Sequence, residues 1–270
     1  MVEPLKELNQ LCQKPRYKEV GNWMVRHILR DAALPITWLL LHTSVTANQV
    51  TLVSLGIGLF GIFLMAFVSK GSFLLGAVLL QVWYLLDHVD GQIARYRGTA
   101  CLTGRFFDFL THHVIHGVLF FALGFYAFQA TGSLLLVVWG FVVSVAMMMF
   151  NLFNDTKYKT YFEKLNNLET VRILKKEAGE ESKQEEPPVR GQADILKRAF
   201  SFCHKISEIH VLMNILTFAA LFQVFAASSA DFRLLLLGIY GLVVPVMACV
   251  KAVYLIVNRK IDEEFERTFG

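Results

Sequence analysis

The sequence predicts an all-α, polytopic integral membrane protein with six transmembrane helices and amphipathic helices lying at the membrane interface. Three observations lead there. Hydrophobic residues fill 55% of the 270 positions and charged residues 18%, with a mean hydropathy of +0.48, too apolar for an ordinary soluble domain of this length. Runs with few or no charges fall at about residues 48–69, 71–86, 106–130, 132–153, 211–230 and 234–250. Each approaches the about 20 residues that a helix needs to cross a hydrocarbon core, the second once it continues through an acidic stretch to about residue 95. Open β-structure is excluded in lipid, where unpaired backbone groups are too costly.

Taken in order, residues 1–45 form an N-terminal cytoplasmic or interfacial segment. Glu3, Lys6 and Glu7 stand where a cleavable signal would need an apolar core, so none is expected. Within it, "KEVGNWMVRHILR" (18–30) spaces Val20, Trp23, Met24 and Ile28 helically, with Lys18, Arg26 and Arg30 on the polar side. Such basic amphipathic helices lie on anionic membrane surfaces; the alternative is a cytosolic helix packed on the bundle. Residues 46–153 hold the first four spans. Residues 154–208 form a charged cytoplasmic insert, solvated around 169–190 and ending in a second amphipathic helix at 193–206. Residues 209–270 supply the last two spans and a cytoplasmic tail.

If 87–105 faces the cytoplasm, the opposite side holds only Lys70 and Arg233, leaving 24 of the 26 Lys and Arg inside. That is the positive-inside bias, and it places the active site on the cytoplasmic face, at the inner membrane if the source is bacterial. The four cysteines form no CxxC pair, and there is no phosphate-binding glycine loop. No nucleic-acid partner is expected.

The chemistry concentrates in "LLDHVDGQIARYRGTACLTGRFFDFLTHH" (85–113). Asp87, Asp90, Gly91 and Ala94 recur at three and four residues, on one face of a helix. Gly104, Asp108 and His112 do the same on the next. Two adjacent antiparallel helices bring Asp87, Asp90 and Asp108 together, and three such carboxylates at a membrane edge need compensation. Oxygen ligands without cysteine suggest a hard divalent ion, Mg²⁺ or Mn²⁺. Gly91 and Gly104 leave room for a flat ligand to approach the backbone, and Arg95 neutralises phosphate oxygens. Any one of these residues alone reads as a solvated helix end; together they describe a site for a phosphate-bearing ligand.

Asp87-x2-Asp90-Gly91-x2-Ala94-Arg95-x8-Gly104-x3-Asp108-x3-His112 resembles the signature of the CDP-alcohol phosphotransferases, D-x2-D-G-x2-A-R-x8-G-x3-D-x3-D. Seven of its eight fixed positions match. Asn48 and Thr51 in "TANQVTLVS" (46–54) are similar to residues the family often carries at the start of its first span. The resemblance implies that a CDP-linked alcohol, often CDP-diacylglycerol, is attacked at its β-phosphorus by the hydroxyl of a second alcohol, releasing CMP. It implies that Asp87, Asp90 and Asp108 hold a pair of divalent ions. Gly91, Ala94 and Gly104 would line the cytidine site, with Asn48 and Thr51 nearby and Arg95 on the phosphates. It further implies a homodimer in contact with membrane lipid.

The departure is His112, where the family has an aspartate that is both metal ligand and general base. The imidazole takes over as base or ligand, alongside Asp108; or the chain is a degenerate relative that binds CDP-alcohol or lipid without turnover; or His113, His116 or a water serves instead. A transporter or channel fits less well, because the charges cluster at one membrane edge and not near the midplane. The sequence does not name the acceptor alcohol.

Overall fold

The structure, a computed structural model, describes residues 2–13, 23–177, 201–202, 205–225 and 231–269. The described residues are helical throughout, without a strand, as the composition predicts. They form α1 (Leu5–Cys12), α2 (Arg30–Leu41), α3 (Ala47–Met65), α4 (Lys70–Tyr96), α5 (Leu102–Thr131), α6 (Leu135–Glu177), α7 (Ile209–Phe225), α8 (Phe232–Val257) and α9 (Lys260–Phe269). Five of these, α3, α4, α5, α6 and α8, are long and apolar enough to cross a membrane, and α7 is a shorter apolar helix of 17 residues. The chain is a polytopic membrane protein. The 178–190 stretch and most of the surface helix expected at 193–206 lie outside the described residues, as does the 18–22 end of the first one.

Local chemistry sets the helix boundaries. Thr46 and Gln49 form a capping box at the start of α3: Gln49 N donates to Thr46 Oγ1 at 3.3 Å and Thr46 N to Gln49 Oε1 at 2.8 Å. Ser69 caps α4 and Cys101 Sγ caps α5, accepting from Gly104 N at 3.4 Å. α5 ends where Gly132 turns left-handed at φ 76°. The fourth apolar run ends at residue 153, but its helix continues to Glu177. No Gly or Pro interrupts the sequence from Phe141 to Glu177. At about 1.5 Å per residue its 43 residues exceed a hydrocarbon core of about 30 Å about twofold. The far part therefore stands clear of the apolar layer.

α4 packs against α1, α2, α3 and α7, and α5 against α3, α6 and α8, so these two helices form the centre. Glycines let neighbouring backbones touch: a Cβ on Gly76 would lie 2.4 Å from Gly61 O, and one on Gly124 2.9 Å from Gly140 Cα. The chain from Trp23 runs through a π-turn (Val25–Leu29) into α2. Val25 and Leu29 face the core while Trp23 and Ile28 are exposed. That outward face suits the interfacial reading. A second apolar cluster, including Leu8, Cys12, Leu34, Val89 and Ile93, fastens α1 and α2 to the end of α4.

Arg233, counted above simply as a charge of the opposite side, is fully enclosed in the structure. Its guanidinium donates to Phe67 O at 2.6 Å and Val68 O at 3.2 Å, pairs with Asp231 at 3.5 Å, and lies 3.4 Å over the Tyr126 ring. It fastens α8 to the α3–α4 turn and to α5. Gln129 adds a bond to Ala66 O at 2.8 Å.

The glycine contacts yield a first prediction. Gly76→Val and Gly124→Val force backbones apart and should each destabilise by about 1–3 kcal/mol, the usual cost of overpacking. Gly56→Ala, with open space around its Cα, should be neutral or slightly stabilising. Thermal unfolding in one detergent, followed by circular dichroism, separates the two classes.

Candidate active site

α4 and α5 end together at one edge of the bundle, joined by the short turn 97–101. The turn brings the acidic faces of both helices into contact. His112 Nε2 lies 3.1 Å from Asp87 Oδ1 and 3.3 Å from Asp108 Oδ1. An Nε2–H donates to one carboxylate while attracting both. Trp83, wholly buried, presents an edge to the imidazole with 5.1 Å between ring centres and fixes its plane. On the other side of Asp87, His88 Nδ1 donates to Tyr84 O at 2.8 Å and stands 3.9 Å from Asp87 Oδ2.

Asp87, Asp108 and His112 each offer one ligand atom, all within 4.8 Å of one another, a group that could hold a metal ion. The residues fit a hard divalent ion by two tests. The two measured separations are close to the about 3.0 Å between adjacent ligands of an octahedral ion with bonds of about 2.1 Å. Asp108 Oδ1 is buried with no hydrogen-bond partner beyond the approach of His112, so it has a lone pair to offer. Nε2 cannot both carry a proton toward Asp87 and bind an ion; metal binding requires the neutral ring with Nε2 free.

Asp90 takes a different position. It is buried at 8% exposure, and Thr51 Oγ1 donates to its Oδ2 at 2.5 Å. It faces a cavity of about 620 Å³ that Asn48, Thr51, Gly91, Ala94, Arg95, Gly104 and Asp108 also line, a volume typical of small-ligand sites. The sequence-predicted residues thus fall into two adjoining groups. Asp87 and His112 belong to the ion-binding cluster, the remainder to the cavity, and Asp108 to both.

The two glycines differ in use. A Cβ at Gly104 would meet Asn48 Oδ1 at 3.6 Å and Cys101 Sγ at 3.7 Å, ordinary contacts, so its absence enlarges the cavity. At Gly91 a Cβ would come within 3.1 Å of Arg95 Nη1: the space is filled by the Arg95 guanidinium and not by open room. Arg95 Nε donates to Cys12 O at 2.5 Å, which aims the two Nη groups. One residue on, Tyr96 OH donates to Glu3 at 2.5 Å and holds the Glu3 carboxyl below its ordinary range. Burial pushes the neighbouring Cys12 thiol up to about 11.

Several lining residues have no assigned role in the sequence reading: Thr46, Arg97, Cys101 and Arg105. Arg97 donates to Val45 O at 2.5 Å and Thr43 O at 2.7 Å, and so holds the entry to α3. Arg105 has no side-chain hydrogen bond or ion pair among the described residues and reaches the cavity as a free cation. Its place next to Gly104 in the first turn of a helix was the available signal. The α1 contribution had none, since a backbone carbonyl carries no residue identity. Of the other histidines, His113 Nε2 lies 3.1 Å from Asp155 Oδ2 on α6, and His116 Nδ1 donates to His112 O at 3.1 Å.

Comparison with known proteins meets this geometry. Residues 44–173, spanning α3, α4, α5 and most of α6, match the family described as CDP-alcohol phosphatidyltransferase. No curated protein gives a significant match to the chain. The match contains every residue of the acidic cluster and the whole lining of the cavity. The span-forming helices and ion-binding group of residues 44–173 thus make up a domain that matches the CDP-alcohol phosphatidyltransferase family of phosphotransferases.

Proposed function

We propose that the protein transfers a phosphoalcohol group, of phosphatidyl type, from a CDP-alcohol such as CDP-diacylglycerol to the hydroxyl of an acceptor alcohol, releasing CMP, in phospholipid or phosphodiester synthesis. The observation that carries this is the sharing of Asp108 between the ion-binding cluster and the cavity. A nucleotide in the cavity has its phosphates at the carboxylates, where a reaction at phosphorus is needed. Asn48, Ala94 and Gly104 form the cytidine surface, while the Arg95 Nη groups and Arg105 face the phosphates. Asp87 and Asp108 would hold Mg²⁺ or Mn²⁺, with Asp90 supporting a second ion and His112 left to act as the base. Bound there, such ions would supply charge neutralisation on the diphosphate and on the leaving phosphate oxygen of CMP. Thr51 keeps Asp90 aimed at the cavity. His112, not engaged as a ligand, accepts the proton of the acceptor hydroxyl, whose oxygen bonds to the β-phosphorus as the bond to CMP breaks. The site faces the cytoplasm, and the enzyme works as a homodimer.

A second reading has its own observation. His112 sits between two carboxylates and compensates them without an ion, as a relative that binds CDP-alcohol without turnover would require.

Five outcomes are expected. CMP release from a CDP-alcohol should need a divalent ion, and Asp87→Ala, Asp90→Ala and Asp108→Ala should each abolish both turnover and metal-dependent donor binding; parental rates in Asp90→Ala would refute the two-ion scheme. His112→Ala should cost about 10²–10⁴-fold in kcat. His112→Asp should stay active with its acidic limb at lower pH, since reference values are about 6.5 for imidazole and about 3.9 for aspartate and a base must be deprotonated. Gain of turnover in His112→Asp from an inactive parent establishes the binding-only reading. In a variant whose Cys203 and Cys249 are serine, exposed Cys101 should alkylate readily and be protected by CDP-alcohol, because it lines the cavity. Membrane-impermeant labelling of cysteines placed at positions 70 and 97 in cells should reach only position 70; labelling at 97 would reverse the orientation.

A further inference from the structure

A second cavity, of about 480 Å³, lies between the protruding part of α6, the last turns of α8, and α9. Its walls are held in place. Phe265 is buried at 3% exposure and packs edge-on against Tyr161, with 5.4 Å between ring centres. Lys157 Nζ donates to Glu264 at 2.7 Å and Lys164 Nζ to Glu266 at 2.8 Å, fastening α9 along α6.

The lining carries a charge imbalance. Lys157, Lys251, Lys260 and Arg267 face it against two carboxylates, Glu263 and Glu264. Both carboxylates are already engaged, Glu263 by Lys260 and Glu264 by Lys157. The lining therefore carries two more cationic than anionic side chains. Lys251 is drawn inward, its Nζ 4.2 Å over the Phe150 ring and 3.4 Å from Phe150 O. Arg267 has no side-chain hydrogen bond or ion pair among the described residues.

The depth of the cavity is set by the sequence. Lys251 is the first charged residue of α8 after Arg233, and Asp155 the first of α6. His113 on α5 contacts Asp155, so both cavities open at the same membrane edge. Tyr158, Tyr161 and Tyr254 line the second one, as tyrosines do at headgroup level. Below this edge the outer faces of α6 and α8 expose Met149, Leu152, Val246 and Val250, an apolar surface for acyl chains. A group with a fixed negative charge at headgroup depth, joined to hydrocarbon, matches all three features.

We propose that this cavity binds the phosphate group of a net-anionic membrane phospholipid, at a site separate from the nucleotide cavity. The test uses the full-length protein in neutral detergent, titrated with phosphatidylglycerol, phosphatidylcholine or inorganic phosphate, with bound species counted by native mass spectrometry. The parent retains phosphatidylglycerol in preference to phosphatidylcholine. Arg267→Gln weakens that retention about fivefold and adding Lys251→Gln about thirtyfold, at about 1 kcal/mol per interfacial cation. CDP-alcohol binding in the same preparations stays at the parental level, which reports folding and keeps this test distinct from that of the catalytic reading. Arg267→Gln, at the exposed end of α9, covers the case in which Lys251→Gln fails to fold. Displacement of phosphatidylglycerol by millimolar inorganic phosphate assigns the site to the phosphate anion itself; resistance to displacement assigns it to the lipid. Equal retention of the two lipids by the parent, or unchanged retention in Arg267→Gln, overturns the proposal.

Discussion

One imidazole joins the two halves of the site. His112 Nε2 approaches carboxylates on α4 and on α5 at nearly equal distances, so the two central helices meet through a charge contact at the edge where their acidic faces converge. Without a positive partner, two carboxylates so close would repel, and the cost would be felt inside an apolar bundle where solvent compensates poorly. The histidine therefore has a structural duty in addition to any chemical one. An aspartate at the same position would add to the repulsion and leave all compensation to bound cations.

The surrounding architecture serves that contact. Trp83 holds the ring plane, and Gly61 with Gly76 brings α3 so close to α4 that Thr51 reaches Asp90. Thr37 donates to Gln92 Oε1 at 2.6 Å and Gln92 Nε2 donates to Arg30 O at 2.9 Å, which ties α2 to the same end of α4. Asp90, Arg95 and Arg97 in the cavity wall are consequently held by hydrogen bonds already made, and Arg105 stands out as a cation without one among the described residues. Preorganisation of this kind lowers the cost of ordering a bound ligand.

Much of this was legible in the sequence. Long apolar runs specify spans through length alone, and the three- and four-residue spacing of Asp87, Asp90, Gly91, Ala94, Gly104, Asp108 and His112 specifies shared helix faces. Spacing does not report which side chains already have partners. Asp90 therefore reads as equivalent to Asp87, although Thr51 engages it from another helix, and Gly91 reads as room for ligand, although Arg95 fills it. The extension of α6 past residue 153 was hidden by polarity: charge marks the end of an apolar layer, whereas only Gly, Pro or a cap marks the end of a helix. The role of Cys12 rests on its carbonyl oxygen, which every residue type offers.

The lock around Arg233 has a consequence for traffic. At the edge opposite the acidic cluster, a buried guanidinium stitches α8, the α3–α4 turn and α5 together, while the cluster's own edge diverges around an open cavity. The bundle is sealed at its base and open at its rim. Whatever occupies the cavity must come and go by the same doorway, so one occupant obstructs its successor until it departs. Exchange in such a vessel is paced by queueing at one edge, and the other edge takes no part in it.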